Sequence, residues 1–257
     1  MQKLLLLLLL LPLSLWAETP EEKGLAILME ADARDTGWGN QQANMKMKLK
    51  NKQGDTSSRS IRIRSLEVPG DGDKSLSIFD DPADVKGTAF LSHTHAVKPD
   101  EQWLYLPALK RVKRISSGNK SGPFMGSEFA YEDIASQEVK KYKYKYLRDE
   151  DLDGTMTFVV EQYPQYKKSG YTRQIVWIDK ERYIGLKIEF YDRKNSLLKT
   201  LSFHDYKQYI DKFWRASKLS MLNHQTGKSS SLEWTNYEFQ SGLGEKDFHR
   251  SVLQRVK

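Results

Sequence analysis

The sequence predicts an α+β chain dominated by one antiparallel β-meander. Two observations carry this. Apolar residues alternate with polar ones at a period of two over most of the chain, and short spacers rich in Gly, Asp, Asn and Lys join the alternating segments. Successive side chains of a strand face opposite sides, so such alternation marks one buried and one wet face. Parallel strands need long crossovers, usually helical, and no regular strand-helix-strand order is present.

The chain opens with Lys3, an unbroken leucine run at 4–11, then Pro12, Leu13, Leu15 and the small residue Ala17. A charged start, an apolar core and a small residue form the layout of a secretory signal peptide. The run is too short to span a bilayer comfortably, which takes about 20 apolar residues. Residues 1–17 are therefore read as a signal peptide and 18–257 as one exported domain. Residues 20–36 read as a helix: Pro20 and the acidic Glu21 and Glu22 sit at its start and Gly37 follows its end. Leu25, Leu28, Met29 and Asp32 follow helical spacing and give it one apolar side.

After Gly39 the period becomes two. Met45, Met47 and Leu49 alternate with Lys46, Lys48 and Lys50, and Ile61 and Ile63 alternate with Arg62 and Arg64. Turns are read at 51–55 and 69–73, with strands at 75–79 and 88–94. Further strands are read at 102–106, 112–115, 140–147, 155–163, 173–178, 185–191, 198–205, 215–223 and 230–237, where aromatic and β-branched residues abound. The expected total is about ten or eleven strands. Residues 115–134 break the rhythm. They begin as a long Ser/Gly-rich loop, yet carry the large apolar Phe124 and Met125, and Ser127 is placed to cap a short helix over 127–134. This segment is read as a lid or plug over the sheet.

Composition narrows the function classes. The chain has no cysteine, which excludes disulfides, a thiol nucleophile, a thiolate metal site and the lipidated cysteine of bacterial lipoproteins. With 41 Lys and Arg against 34 Asp and Glu it is mildly basic, which favours anionic surfaces but does not argue for nucleic acid. His93-x-His95 has acceptable metal spacing but no third ligand nearby, and it reads as a polar strand face. Asp149-x-Asp151-x-Asp153-Gly154 begins like a calcium loop, but its twelfth position is Val160, so a charged hairpin turn is the better reading. No nucleophile elbow, phosphate loop, dinucleotide fingerprint or zinc-protease helix is present, so no enzyme, cofactor or metal site is expected. The lysine row at 46, 48, 50 and 52, and the Lys141, Lys143 and Lys145 row interleaved with Tyr142, Tyr144 and Tyr146, either solubilise a sheet face or guard an edge strand, or else touch anionic headgroups or an acidic partner.

The central block is specific. Trp103-Leu104-Tyr105-Leu106-Pro107-Ala108-Leu109-Lys110-Arg111-Val112-Lys113-Arg114-Ile115 is followed by Asn119-Lys120-Ser121-Gly122, Phe124-Met125-Gly126-Ser127-Glu128-Phe129 and Tyr131-Glu132-Asp133. With Val176-Trp177-Ile178-Asp179-Lys180, Glu189-Phe190-Tyr191-Asp192 and Asn223-His224-Gln225-Thr226-Gly227-Lys228, it resembles the outer-membrane lipoprotein-sorting protein family, in a LolA-like branch often encoded near large lipid exporters. The resemblance implies a half-open antiparallel β-barrel whose concave face is covered by helices, here 20–36 and 127–134, with a cavity that accepts acyl chains. It implies a periplasmic, non-lipidated carrier for a lipid or lipidated molecule, working beside an inner-membrane exporter and touching the membrane transiently. The alternative is an interaction or sensor module that regulates a membrane protein.

Shelter for an acyl chain is a large demand. At roughly 0.8 kcal/mol for each exposed methylene, a chain of about 16 carbons needs on the order of 12 kcal/mol. The residues expected at the cavity or its lid are Trp103, Tyr105, Phe124, Met125 and Phe129, with Trp177, Phe190, Phe203 and Met221 lining the sheet. Trp103 and Tyr105 share a strand face, as do Phe190 with Ile188 and Phe203 with Leu201. An ordinary apolar core would leave the same pattern.

Overall fold

The computed structural model describes residues 18–255; the expected signal peptide lies outside them. One helix, α1 (Pro20–Arg34), precedes thirteen strands: β1 (Asn40–Lys50), β2 (Thr56–Leu66), β3 (Lys74–Asp81), β4 (Ala89–His93), β5 (Glu101–Leu106), β6 (Arg111–Ile115), β7 (Tyr142–Leu152), β8 (Thr155–Pro164), β9 (Tyr171–Asp179), β10 (Gly185–Asp192), β11 (Leu197–Tyr209), β12 (Phe213–Asn223) and β13 (Ser229–Phe239). They form one sheet in the order β6-β5-β4-β3-β2-β1-β13-β12-β11-β10-β9-β8-β7. Every pairing is antiparallel. The α+β class and the open antiparallel sheet expected from the sequence are both present. The strands number thirteen rather than ten or eleven, and each of them, the five-residue β4 and β6 included, coincides with a segment whose alternation or composition marks it in the sequence.

The topology explains why the sheet stays open. A first meander runs from β1 at the centre out to β6, and a second runs from the opposite edge, β7, back to β13 beside β1. The two edges are consecutive in sequence, so residues 116–141 must cross the sheet to join them. They do so over its concave face. Phe124 packs against Phe79, Phe90 and Tyr131, and Phe129 joins the same core.

The crossing segment is pinned by polar bonds along its length. Arg59 donates to the Met125 carbonyl at 2.5 Å, Gln102 to the Tyr131 carbonyl at 3.1 Å, and Asn223 to the Glu128 carboxylate at 2.7 Å. Lys199 lies almost fully buried and reaches both the Glu128 carbonyl and, at 2.6 Å, the Asp133 carboxylate. Lys120 and Lys141 both reach Asp100. Burial of a charge is tolerable only with such partners.

The helix expected over 127–134 is absent. That stretch is a series of turns, with an isolated bridge between Pro123 and Ala130 and a bond from the Phe124 amide to the Phe129 carbonyl at 2.6 Å. Ser127 donates its hydroxyl to the Phe124 carbonyl, so it closes this turn instead of capping a helix. Tertiary bonds through Glu128, Tyr131, Glu132 and Asp133 decide the local backbone here. The helix on the concave side is α1, opened by a capping box between Thr19 and Glu22.

Apolar residues fill both sides of part of the sheet. The main core lies on the concave face and includes Met45, Met47, Ile61, Phe90, Val176, Ile178, Ile188, Leu201 and Met221. A second, smaller core lies on the convex face of β3, β4 and β5. There Leu76, Ile78, Leu91 and Trp103 are covered by Phe248 and Leu253 from two C-terminal 3-10 turns. The Asp153-Gly154 turn between β7 and β8 has positive φ at both residues, as a two-residue hairpin turn requires, so the acidic run ending there is a hairpin.

A cavity between the helix and the sheet

The cavity lies where α1 bridges the concave face near β7. Gly24 and Ile27 are the buried residues of the helix. Gly24 allows close approach: a Cβ there would stand 2.8 Å from the Tyr146 amide nitrogen. Beyond this contact Asp35, Thr36 and Gly37 lead the chain from the end of the helix toward β1. Arg215 holds Asp35 at 2.5 Å, Lys212 donates to the Thr36 carbonyl at 2.6 Å, and Arg34 donates to the Glu181 carbonyl at 2.7 Å.

The space between helix and sheet, open to solvent on one side, is about 570 Å³, within the range usual for small-molecule sites. Its floor is apolar: Val176 and Ile178 of β9, Ile188 of β10 and Phe203 of β11, flanked by Tyr144 and Tyr183, with Leu28 and Ala31 above from α1. Its mouth is acidic, lined by Asp32, Asp35, Glu67, Asp71, Asp73 and Glu138, with Lys140 the one lysine or arginine in the lining.

The carboxylates at the mouth are held in different ways. Glu67 accepts the Gly37 and Gly39 amides, each at 2.7 Å. Asp71 is bonded to His95 at 2.7 Å and accepts the Ala96 amide at 2.8 Å, and these bonds lower its pKa to about 2. Asp73 is raised to about 6, first by burial and then by neighbouring carboxylates, against the bond it accepts from Ser136. Glu138 is raised to about 7 by burial and by the charge of Asp73. Burial also raises Asp32, and Asp35 despite its bond to Arg215.

The nine residues expected at the site fall into two groups. Phe124, Met125, Phe129, Phe190, Phe203 and Met221 gather on the concave side. Of these, Phe203 borders the cavity, while Phe124, Phe129 and Met221 are at most 1% exposed within the core. Trp103 and Tyr105 belong to the convex core. Trp177 also faces away from the cavity: its indole donates to Glu150 at 3.0 Å, and Lys187 stands over its ring. The cause is the same in both strands. β5 and β9 read as continuous apolar runs buried on both faces, so parity alone does not say which side is concave. The expectation missed the acidic mouth, because its carboxylates come from α1, the β2–β3 loop and the crossing segment. Val176, Ile178 and Ile188 carried a signal, being apolar and two apart or of one parity with Phe190.

His93 bonds the Phe248 carbonyl at 2.8 Å on the convex side, so the two histidines serve different loops. Among the described residues no three His, Asp or Glu side chains converge as metal ligands, and no helix is long and apolar enough to cross a membrane.

Comparison with known proteins bears on this geometry. A family model described as "Uncharacterized protein" matches residues 71–255. The chain is similar to a crystallised domain from Vibrio parahaemolyticus assigned to outer membrane lipoprotein sorting, at 61% identity and a TM-score of 0.90, over 91% of this chain and 100% of that one. It is similar to a DUF1329 family protein from Desulfovibrio piger at 29% identity and a TM-score of 0.86, over 91% of this chain and 99% of that one. A LolA superfamily protein from Nitrosomonas europaea shares the fold at 20% identity and a TM-score of 0.72, over 89% of this chain and 98% of that one. No curated protein matches the sequence significantly. By its identity to the Vibrio domain over that domain's whole length, the chain belongs to the outer membrane lipoprotein-sorting protein family, with the LolA-like open-barrel fold.

Proposed function

We propose that this protein is a periplasmic, non-enzymatic carrier that shelters an acyl chain of a lipid or lipidated molecule in the cavity beneath α1. The observation that carries the reading is the apolar floor of Val176, Ile178, Ile188 and Phe203 under a helix, in a chain of the lipoprotein-sorting family. A cavity of about 570 Å³ removes much of a chain from water, and each sheltered methylene contributes roughly 0.8 kcal/mol. Phe203 borders this cavity, and Phe124, Met125, Phe129, Phe190 and Met221 pack in the concave core that continues from its floor.

Loading and delivery require partners at membranes. The carrier works beside an inner-membrane lipid exporter. Lys46, Lys48 and Lys50 stay exposed on the convex face, away from the cavity, and suit transient contact with anionic headgroups. One feature favours the second reading, an interaction module: β6 is an edge strand carrying exposed Arg111, Lys113 and Arg114, a surface suited to pairing with an acidic strand. Native mass spectrometry of protein purified from its own host separates the two. Co-purifying lipid supports the carrier. Lipid-free protein that captures one membrane protein supports the module and overturns the carrier.

A further inference from the structure

We infer that the cavity takes amphiphiles with an amine cation as head group, the alkyl chain lying on Val176, Ile178 and Ile188 and the head among Asp32, Asp73 and Glu138. This rests on the acyl-chain reading above and adds the chemistry of the head.

The charge balance of the mouth is the starting point. Three of its six acidic side chains are already served. Asp35 has Arg215, Asp71 has His95 and the Ala96 amide, and Glu67 has two backbone amides. Among the described residues Asp32, Asp73 and Glu138 have no ion pair, Asp73 being held only by hydrogen bonds such as that from the Ser136 hydroxyl at 3.2 Å, although they come from three separate elements and border one space. They also feel one another: the charges of Asp73 and Asp32 both make Glu138 harder to ionise. The nearby cations resolve this only in part: Lys141 eases the ionisation of Glu138 but is bonded to Asp100, and Lys140 is exposed.

An apolar chain entering the cavity strips water from these carboxylates. Desolvation without a partner penalises their charged form. An ammonium head at the mouth supplies the missing partner while its chain covers the floor. A carboxylate or phosphate head adds negative charge to a field that is already negative and poorly screened. The floor and the mouth, read independently, therefore specify the two ends of one amphiphile.

The test is displacement of the neutral fluorophore N-phenyl-1-naphthylamine from the full mature chain at pH 7.5. The competitors are dodecylamine, dodecanol and dodecanoate, each below its aggregation concentration. Dodecylamine is expected to displace the probe at a concentration about tenfold lower than dodecanoate, a difference of about 1.4 kcal/mol. The double variant Asp73→Asn, Glu138→Gln is expected to erase most of that ratio, and Asp32→Asn alone to reduce it. Folding of each variant is checked by thermal unfolding. Equal potency of amine and carboxylate, or a ratio the variants leave unchanged, overturns the head-group inference while leaving the acyl-chain cavity intact. Failure of all three competitors, dodecanol included, overturns the cavity reading and the inference with it.

Discussion

Replacing Phe124 with alanine distinguishes a core ring from a movable lid. Phe124 is 0% exposed, and its ring centroid lies 6.1, 5.0 and 5.4 Å from those of Phe79, Phe90 and Tyr131. Truncating a buried phenylalanine costs about 3–5 kcal/mol through lost transfer energy and the void left behind. Tilted and edge-on ring contacts add about 0.5–1.5 kcal/mol each beyond area, though not additively. The surrounding segment is pinned by Arg59, Gln102 and Lys199 and has little freedom to collapse into the void. A loss near 4 kcal/mol is therefore expected, read from urea unfolding followed by tryptophan fluorescence with an unchanged slope. Because Phe124 does not border the cavity, probe affinity measured where the variant is folded should stay within about twofold, well under the 1.4 kcal/mol that a tenfold change represents. A loss under about 1 kcal/mol accompanied by lost binding would refute this reasoning and make residue 124 a ligand lid.

Three further outcomes follow from particular contacts. Gly24→Ala should lower the melting temperature even though alanine is favoured over glycine by about 1 kcal/mol in a helix, because its Cβ meets the Tyr146 amide nitrogen at 2.8 Å; a stabilised variant contradicts the close approach. Lys199→Met strands Asp133 in the core and should cost about 3–5 kcal/mol, whereas adding Asp133→Asn should restore part of it; a double-mutant cycle with no coupling contradicts the pairing. Asp73 is raised from 3.8 to about 6 on folding, so the folded state holds this proton more tightly than the unfolded chain. Its contribution is fully present below the ordinary carboxylate range and is lost as pH rises through about 6. Asp73→Asn should therefore gain about 1 kcal/mol over the natural protein at pH 8, after allowance for solvent screening, and less at pH 5. A larger gain at pH 5, by urea midpoints, contradicts the sign.

Much of the fold was legible because one-sided burial writes itself into alternation. Met45, Met47 and Leu49 turn inward and Lys46, Lys48 and Lys50 outward, as their spacing requires. The start of the helix was legible from Pro20 and Glu22 because capping is local chemistry, whereas its end falls at Arg34, with Asp35 as the cap, two residues short of the 20–36 expected from Gly37. Legibility ended where distant residues decide. Trp103 and Tyr105 face the convex side because Phe248 and Leu253 return from the C-terminus to cover them, and nothing within β5 announces that cover. Residues 127–134 have helix-compatible composition, but bonds from Lys199, Asn223 and Tyr171 hold them as turns. The cavity was invisible for a different reason. Ile188 lines space and Leu201 lines core, yet both are inward apolar residues on neighbouring strands, and packing alone distinguishes them.

The most direct test of an acyl-chain site beneath α1 is titration of the natural protein and an Ala31→Trp variant with N-phenyl-1-naphthylamine. Ala31 borders the cavity from the helix side and is not part of the buried core, so an indole there occupies the space without opening the sheet. The expected result is saturable binding by the natural protein and a loss of at least about tenfold, roughly 1.4 kcal/mol, in the variant, with the melting temperature little changed. No binding by the natural protein, or equal binding by both at equal stability, would contradict the site.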